Sequence, residues 1–118
     1  MIDRLDAMMQ FQTDALKLRA QRQTLLAANI ANADTPDYKA VDFDFAKALT
    51  SAQTTAASDT TATQPEVLYR QPTQASLDGN SVDMDAERGQ FADNTVRYEA
   101  ALRVLSAQIK TMLAAVQD

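Results

Sequence analysis

The chain has 118 residues, 11 basic and 16 acidic, a formal charge of −5, and no Cys, His or Trp. That inventory excludes disulfides, structural zinc sites built on Cys or His, thiol nucleophiles and every His-based triad. The acidity lies in the middle and at the end, where residues 35–82 carry three basic and six acidic groups and residues 83–118 four and six, so no basic patch points to nucleic acid.

One domain's length of chain, rich in Ala, Leu, Gln and Arg, favours helix. Ile2, Leu5, Met9, Leu16, Leu26, Ile30 and Ala33 fall on the a or d positions of one heptad frame, which predicts a single amphipathic helix over residues 1–33. Gln12, Arg19 and Gln23 occupy the same frame and interrupt it. A second stripe, Met8, Phe11, Ala15, Leu18 and Leu25, runs beside the first. Two adjacent stripes broken by polar residues suit a helix with several neighbours better than one with a single coiled-coil mate. At 1.5 Å per residue such a helix is about 50 Å long. A compact globule of this size has a radius of gyration of roughly 13–14 Å, so the predicted shape is elongated. Arg19 and Arg22 are expected to be solvated or paired with an acid such as Asp14. Residues 1–34 are charge-balanced and no apolar run approaches 18 residues, so membrane insertion is not expected. The first residues lack a basic region followed by an apolar run, so neither is a cleaved signal peptide.

The helix has to stop within residues 27–40, AANIANADTPDYKA. Pro36 disfavours helical dihedrals at Thr35 and has no N–H to donate. Asn29, Asn32 and Asp34 have short side chains that bond backbone groups at a helix end. Asn29 and Asn32 admit two readings, helix capping or buried inter-subunit hydrogen bonds that fix register.

Val41, Phe43 and Phe45 alternate with Asp42 and Asp44, which predicts a half-buried extended segment. Residues 50–64 hold six Thr, four Ala and two Ser around one charge, and read as a weakly ordered, flexible loop. Residues 66–70, EVLYR, form a second β-prone run, able to pair with residues 41–45 as a ribbon closed by that loop. After turn chemistry over 71–82, a second long helix is expected to begin near Asp83, a plausible N-cap with Asp85 and Glu87 in the first turn. Phe91, Tyr98, Leu102, Leu105, Ile109, Met112 and Val116 keep a heptad frame, with Thr95 at its one missing a position. Gly89 inside the run costs about 1 kcal/mol against Ala.

The expected fold is mainly α: an elongated, coiled-coil-like pair of long terminal helices with a short β-ribbon middle and a Thr/Ala-rich loop. Residues 1–34 and 83–118 would form one discontinuous helical domain, with 35–82 as its insert. Apolar surface left over on both helices predicts association.

The chemical motifs are weak. Residues 78–87, DGNSVDMDAE, lack the EF-hand spacing, with Gly at position 2 and Val at position 5. Asp42 and Asp44 would share one solvent-facing side of a strand, with no further catalytic group in view. The Met residues fit packing faces. No enzyme activity, metal or cofactor is expected.

The stretch NIANADTPDYK resembles the N-terminal motif of the flagellar axial proteins, the family of rod, hook and related subunits. The family form usually has Gly where this chain has Asp37, a position where positive φ would penalise Asp. Residues 4–45, RLDAMMQFQ through DFDF, and residues 69–113, YRQPTQASLDGNSVDMDAE through TML, are similar to the two ends of the proximal-rod members. The resemblance implies a non-enzymatic structural subunit of the proximal rod of the basal body, in the periplasmic space. It also implies export through the flagellar type III apparatus without a cleaved signal peptide, and an inner tube built from the paired terminal helices. The implied partners are further copies of the chain, neighbouring rod proteins, the adaptor protein at the inner-membrane ring and the export apparatus. Candidate subunit-interface residues are Leu16, Leu26, Asn29, Ile30, Asn32, Tyr98, Leu102, Leu105, Ile109 and Met112. The alternative is a coiled-coil adaptor or chaperone-like module of a secretion system.

Overall fold

The computed structural model describes residues 2–55, 65–71 and 76–117. Five elements follow in order: α1 (Ile2–Ala31), β1 (Val41–Asp42), α2 (Phe45–Thr55), β2 (Leu68–Tyr69) and α3 (Met84–Val116). The two long helices pack together, and α2 and β1 lie against α1. The extents are 65 × 29 × 17 Å and the radius of gyration is 17.8 Å, so the shape is elongated, as the helix lengths require.

α1 ends where the Asn-rich stretch begins to turn. Asn32 N–H and Asn32 Nδ2 both donate to the Ala28 carbonyl, at 3.0 and 2.8 Å. Thr35 Oγ1 donates to Asn32 Oδ1 at 3.0 Å. Asn80, distant in sequence, completes the cap: its Nδ2 donates to the carbonyls of Asn32, Ala33 and Thr35 at 2.7–2.9 Å. These are the orphan acceptors every helix C-terminus leaves behind. Asp37 then takes φ 62°, the left-handed conformation expected for a position usually filled by Gly.

α3 begins as expected. Asp83 is extended (φ −102°, ψ 105°), and its side chain accepts from the N–H groups of Asp85 and Ala86. Gly89 stands inside the helix with no neighbouring atom within 4 Å of where a Cβ would sit.

The middle differs from expectation in two ways. The ribbon is antiparallel but only two pairs long, Val41 with Tyr69 and Asp42 with Leu68. Phe45 is not in a strand; it opens α2, which runs on through Thr50–Thr55 of the stretch read as a loop. Asp44 sets this start, its Oδ1 accepting from Lys47 N–H and its carbonyl from Ala48 N–H. Phe45, Ala48, Leu49 and Ala52 are part-buried at helical spacing, a stripe that suits packing on α1. Residues 56–64 of the Thr-rich stretch lie outside the described residues. Asp42 and Asp44 accordingly do not share a solvent-facing side: Asp42 is turned inward and Asp44 caps a helix.

The apolar core is small: Ala15, Leu18, Leu26, Ala40 and Phe43 are buried. Beside them Asn29, Asn80, Glu87 and Asn94 are buried too. All of these lie in the waist of the molecule, and none in residues 3–14 or 95–117. Among the described residues no helix is long and apolar enough to cross a membrane.

Candidate functional site

The waist is held by a polar network drawn from every element except α2. Arg22 on α1 makes a two-pronged pair with Asp42, Nε to Oδ1 and Nη2 to Oδ2, both at 3.0 Å. Arg22 Nη2 also donates to Gln90 Oε1 at 2.8 Å. Arg70, just past β2, brings Nη2 within 2.7 Å of Asp42 Oδ2. Its Nε lies 2.7 Å from Glu87 Oε1, yet off the N–H axis, so this contact is ionic and not a directed hydrogen bond. Asn29 closes the network. Its Nδ2 donates to Glu87 Oε2 at 3.0 Å and to the Val41 carbonyl at 2.8 Å. Its Oδ1 accepts from Val41 N–H at 3.1 Å and from the Tyr38 hydroxyl at 3.3 Å. The amide thus makes four bonds, all inside the subunit.

Burial pushes the Asp42 carboxyl up, but the Arg22 hydrogen bond, the Phe43 N–H and the charges of Arg22 and Arg70 outweigh it, leaving it below the usual carboxylate range. The expectation of solvated arginines or a pair with Asp14 is corrected on both counts. Arg22 is only 12% exposed and bound to Asp42. Arg19 stacks over the Phe45 ring at 3.6 Å, and Asp14 accepts from Gln10.

One turn and more along the pair, the helices meet through a second polar layer. Asn94 Nδ2 donates to the Arg19 carbonyl at 2.9 Å and to Gln23 Oε1 at 2.7 Å. Gln23 Nε2 donates to Thr95 Oγ1 at 2.7 Å. The polar residues that interrupt the two heptad frames therefore face one another. Nothing in this chemistry resembles a reacting centre: the charges are mutually neutralised, and among the described residues no group of three acidic side chains could hold a metal ion.

Beyond the waist the helices leave an open, apolar end. Leu5, Met8, Met9, Val104, Ala107, Gln108, Thr111 and Met112 line a groove of about 350 Å³. Gln108 Oε1 is buried there without a hydrogen-bond partner among the described residues. Leu5, Met8, Phe11, Leu102, Val104, Ile109, Leu113 and Val116 are exposed. Large apolar side chains exposed side by side mark a surface awaiting a partner.

The full-length sequence relationships decide what kind of chain carries these features. Flagellar basal body rod protein FlgB of Escherichia coli is 50% identical over an alignment spanning 100% of this chain and 99% of its own. FlgB of Salmonella typhimurium is 49% identical, with 99% and 98% covered. The chain belongs to the flagellar basal body rod proteins. The family profile described as "Flagella basal body rod protein" matches residues 9–39 of this rod-family chain, the end of α1 and the Asn-rich turn. FlgB of Cereibacter sphaeroides is 42% identical over 87% of the chain and 88% of its own.

The candidate interface residues of this rod-family chain fall into two groups. Leu26 and Asn29 are fully buried within the subunit, and Asn32 is engaged in capping α1. Leu102 and Ile109 are exposed, while Leu16, Ile30, Tyr98, Leu105 and Met112 are part-buried. Sequence periodicity missed Glu87, Arg70 and Asn80, because none lies on an apolar frame. A charged residue one turn inside a capped helix reads as solvated, and nothing local marks Glu87 as buried.

Proposed function

We propose that this chain is a structural, non-enzymatic subunit of the proximal rod of the bacterial flagellar basal body, located in the periplasmic space and transmitting torque. The full-length relationship to FlgB carries the reading. The open apolar end of the helix pair supports it, since a subunit that assembles by helix packing keeps such faces for its neighbours. Leu5, Met8, Leu102, Ile109 and Met112 are the residues for that contact, and Gln108 offers a buried acceptor to a donor from the adjoining subunit. The α1–α3 pair builds the inner tube, with residues 35–82 outside it. Partners are further copies of the chain, neighbouring rod proteins and the adaptor protein at the inner-membrane ring. The chain crosses the flagellar export apparatus unfolded and without a cleaved signal peptide. Its helix ends gain partners on arrival, and the new contacts offset the ordering entropy. Contacts of this head-to-tail kind propagate a helical assembly and do not close a dimer.

Leu102→Asp and Ile109→Asp test the reading in cells lacking the native subunit. Both are exposed in the free chain, so folding is spared. The expected outcome is secretion at the normal level, no incorporation into basal bodies and no swimming. Normal motility in both variants contradicts assembly through this face.

A further inference from the structure

Glu87 is the only carboxylate among the described residues with no solvent exposure. It lies in the first turns of α3, where the helix dipole favours negative charge. The cation in contact with it comes from neither long helix. It is Arg70, on the segment 65–71, whose Nε is 2.7 Å from Glu87 Oε1.

That segment is otherwise lightly attached. It makes two ladder pairs with β1 and one bond from Arg70 N–H to the Ala40 carbonyl at 2.9 Å. Lys47 and Glu66 approach to 3.7 Å, but both are more than 70% exposed, and such pairs contribute little. Val67, Leu68 and Tyr69 are 49%, 52% and 75% exposed, so apolar burial does not hold the segment down. The Arg70 side chain does, bridging Asp42 at 2.7 Å and Glu87.

The dependence runs both ways. Without Arg70, Glu87 keeps only the Asn29 amide as a partner in a buried place, and an uncompensated buried charge is among the most destabilising defects a protein can hold. Either water must enter or α3 must lift from α1 at this point. We infer that residues 65–71 are a strap whose docking closes the N-terminal half of α3 onto α1, with Arg70 as its latch. Pressure on the exposed face of the strap, Val67 to Tyr69, then stabilises the closed helix pair by linkage, because both are one equilibrium. The inference concerns the free chain and stands apart from the proximal-rod reading.

The test uses the full chain, dilute and purified, with two readouts. The sequence has no Cys, so Tyr69→Cys carries a fluorophore that reports strap position. Amide hydrogen exchange over residues 84–94 reports closure of α3. Arg70→Met keeps the length of the side chain and removes its charge. It is expected to free the strap and to speed exchange over 84–94 by about a hundredfold or more. Adding Glu87→Gln to Arg70→Met removes the stranded charge, and is expected to return α3 exchange to within about threefold of the parent while the strap stays loose. The inference is overturned if Arg70→Met frees the strap and exchange over 84–94 stays at the parent rate. It is overturned equally if Glu87→Gln fails to restore protection. Should Arg70→Met not fold, a folded double variant supports the latch and an unfolded one overturns it.

Discussion

Asp37 occupies a left-handed φ of 62°, a conformation that crowds the Cβ of any L-residue against the backbone and that Asp tolerates better than most. It is held there from both sides. Its N–H donates to the Asp78 carbonyl at 2.9 Å, and its carboxylate lies where a methyl on Gly79 would have to go. Gly79 itself has φ 76°. The two positions are therefore complementary, and the residue with no Cβ stands on only one side of the contact. Asp37→Gly is expected to raise stability by about 0.5–1 kcal/mol, the relief of a strained dihedral less the added freedom of the unfolded chain. Gly79→Ala is expected to lower it by more than that, through collision and strain together. Urea unfolding of the two variants checks both signs, and a destabilised Asp37→Gly would mean that the carboxylate supports this turn.

At the scale of elements, Asp42 joins α1, β1 and the strap through one carboxylate. Its pairing with Arg22 and Arg70 depresses its folded-state pKa. The stability this provides is fully present above the unfolded-state value of about 4, and is lost as pH falls through the lower folded-state value. The parent chain is expected to lose stability between about pH 5 and 3 more steeply than Asp42→Asn, which should also be the weaker of the two at neutral pH. Parallel pH profiles would show that the carboxylate is not paired in solution. Much of this layer was legible in the sequence, but unevenly. Long helices with a 3.5-residue apolar repeat declare themselves, and so do the proline at 36 and the cap at Asp83. The interruptions at Arg19, Gln23 and Thr95 were visible as gaps in two separate frames. Their meeting across the interface was not, because periodicity within a helix says nothing about the register between helices. α2 escaped because its first residue completes an alternating pattern, Val41, Phe43, Phe45, and two consistent periods cannot be separated over five residues. Glu87 and Arg70 escaped because burial of a charge depends on a partner supplied from elsewhere in the chain.

On the whole molecule these features divide one helix pair into two regimes. The waist combines a small apolar core with networks in which nearly every buried polar atom is bonded, and such networks fix a single register at some expense of stability. The outer ends have continuous helical backbone but exposed Leu, Met, Ile and Val on both members. An isolated helix end with no tertiary partner has only its own backbone bonds to oppose fraying. In the dilute chain, amides of residues 4–12 and 100–115 are therefore expected to exchange at least about a hundredfold faster than those of residues 20–30 and 86–96. In assembled rods the same outer amides should become as slow as the waist, since neighbouring subunits then cover the groove between Leu5 and Met112. Hydrogen exchange with mass analysis, run on free chain and on basal bodies, measures both. Uniform protection along α1 and α3 in the free chain would mean that the pair is already complete. Assembly would then dock a rigid rod, and the exposed stripes would be contact surface without being an unfinished fold.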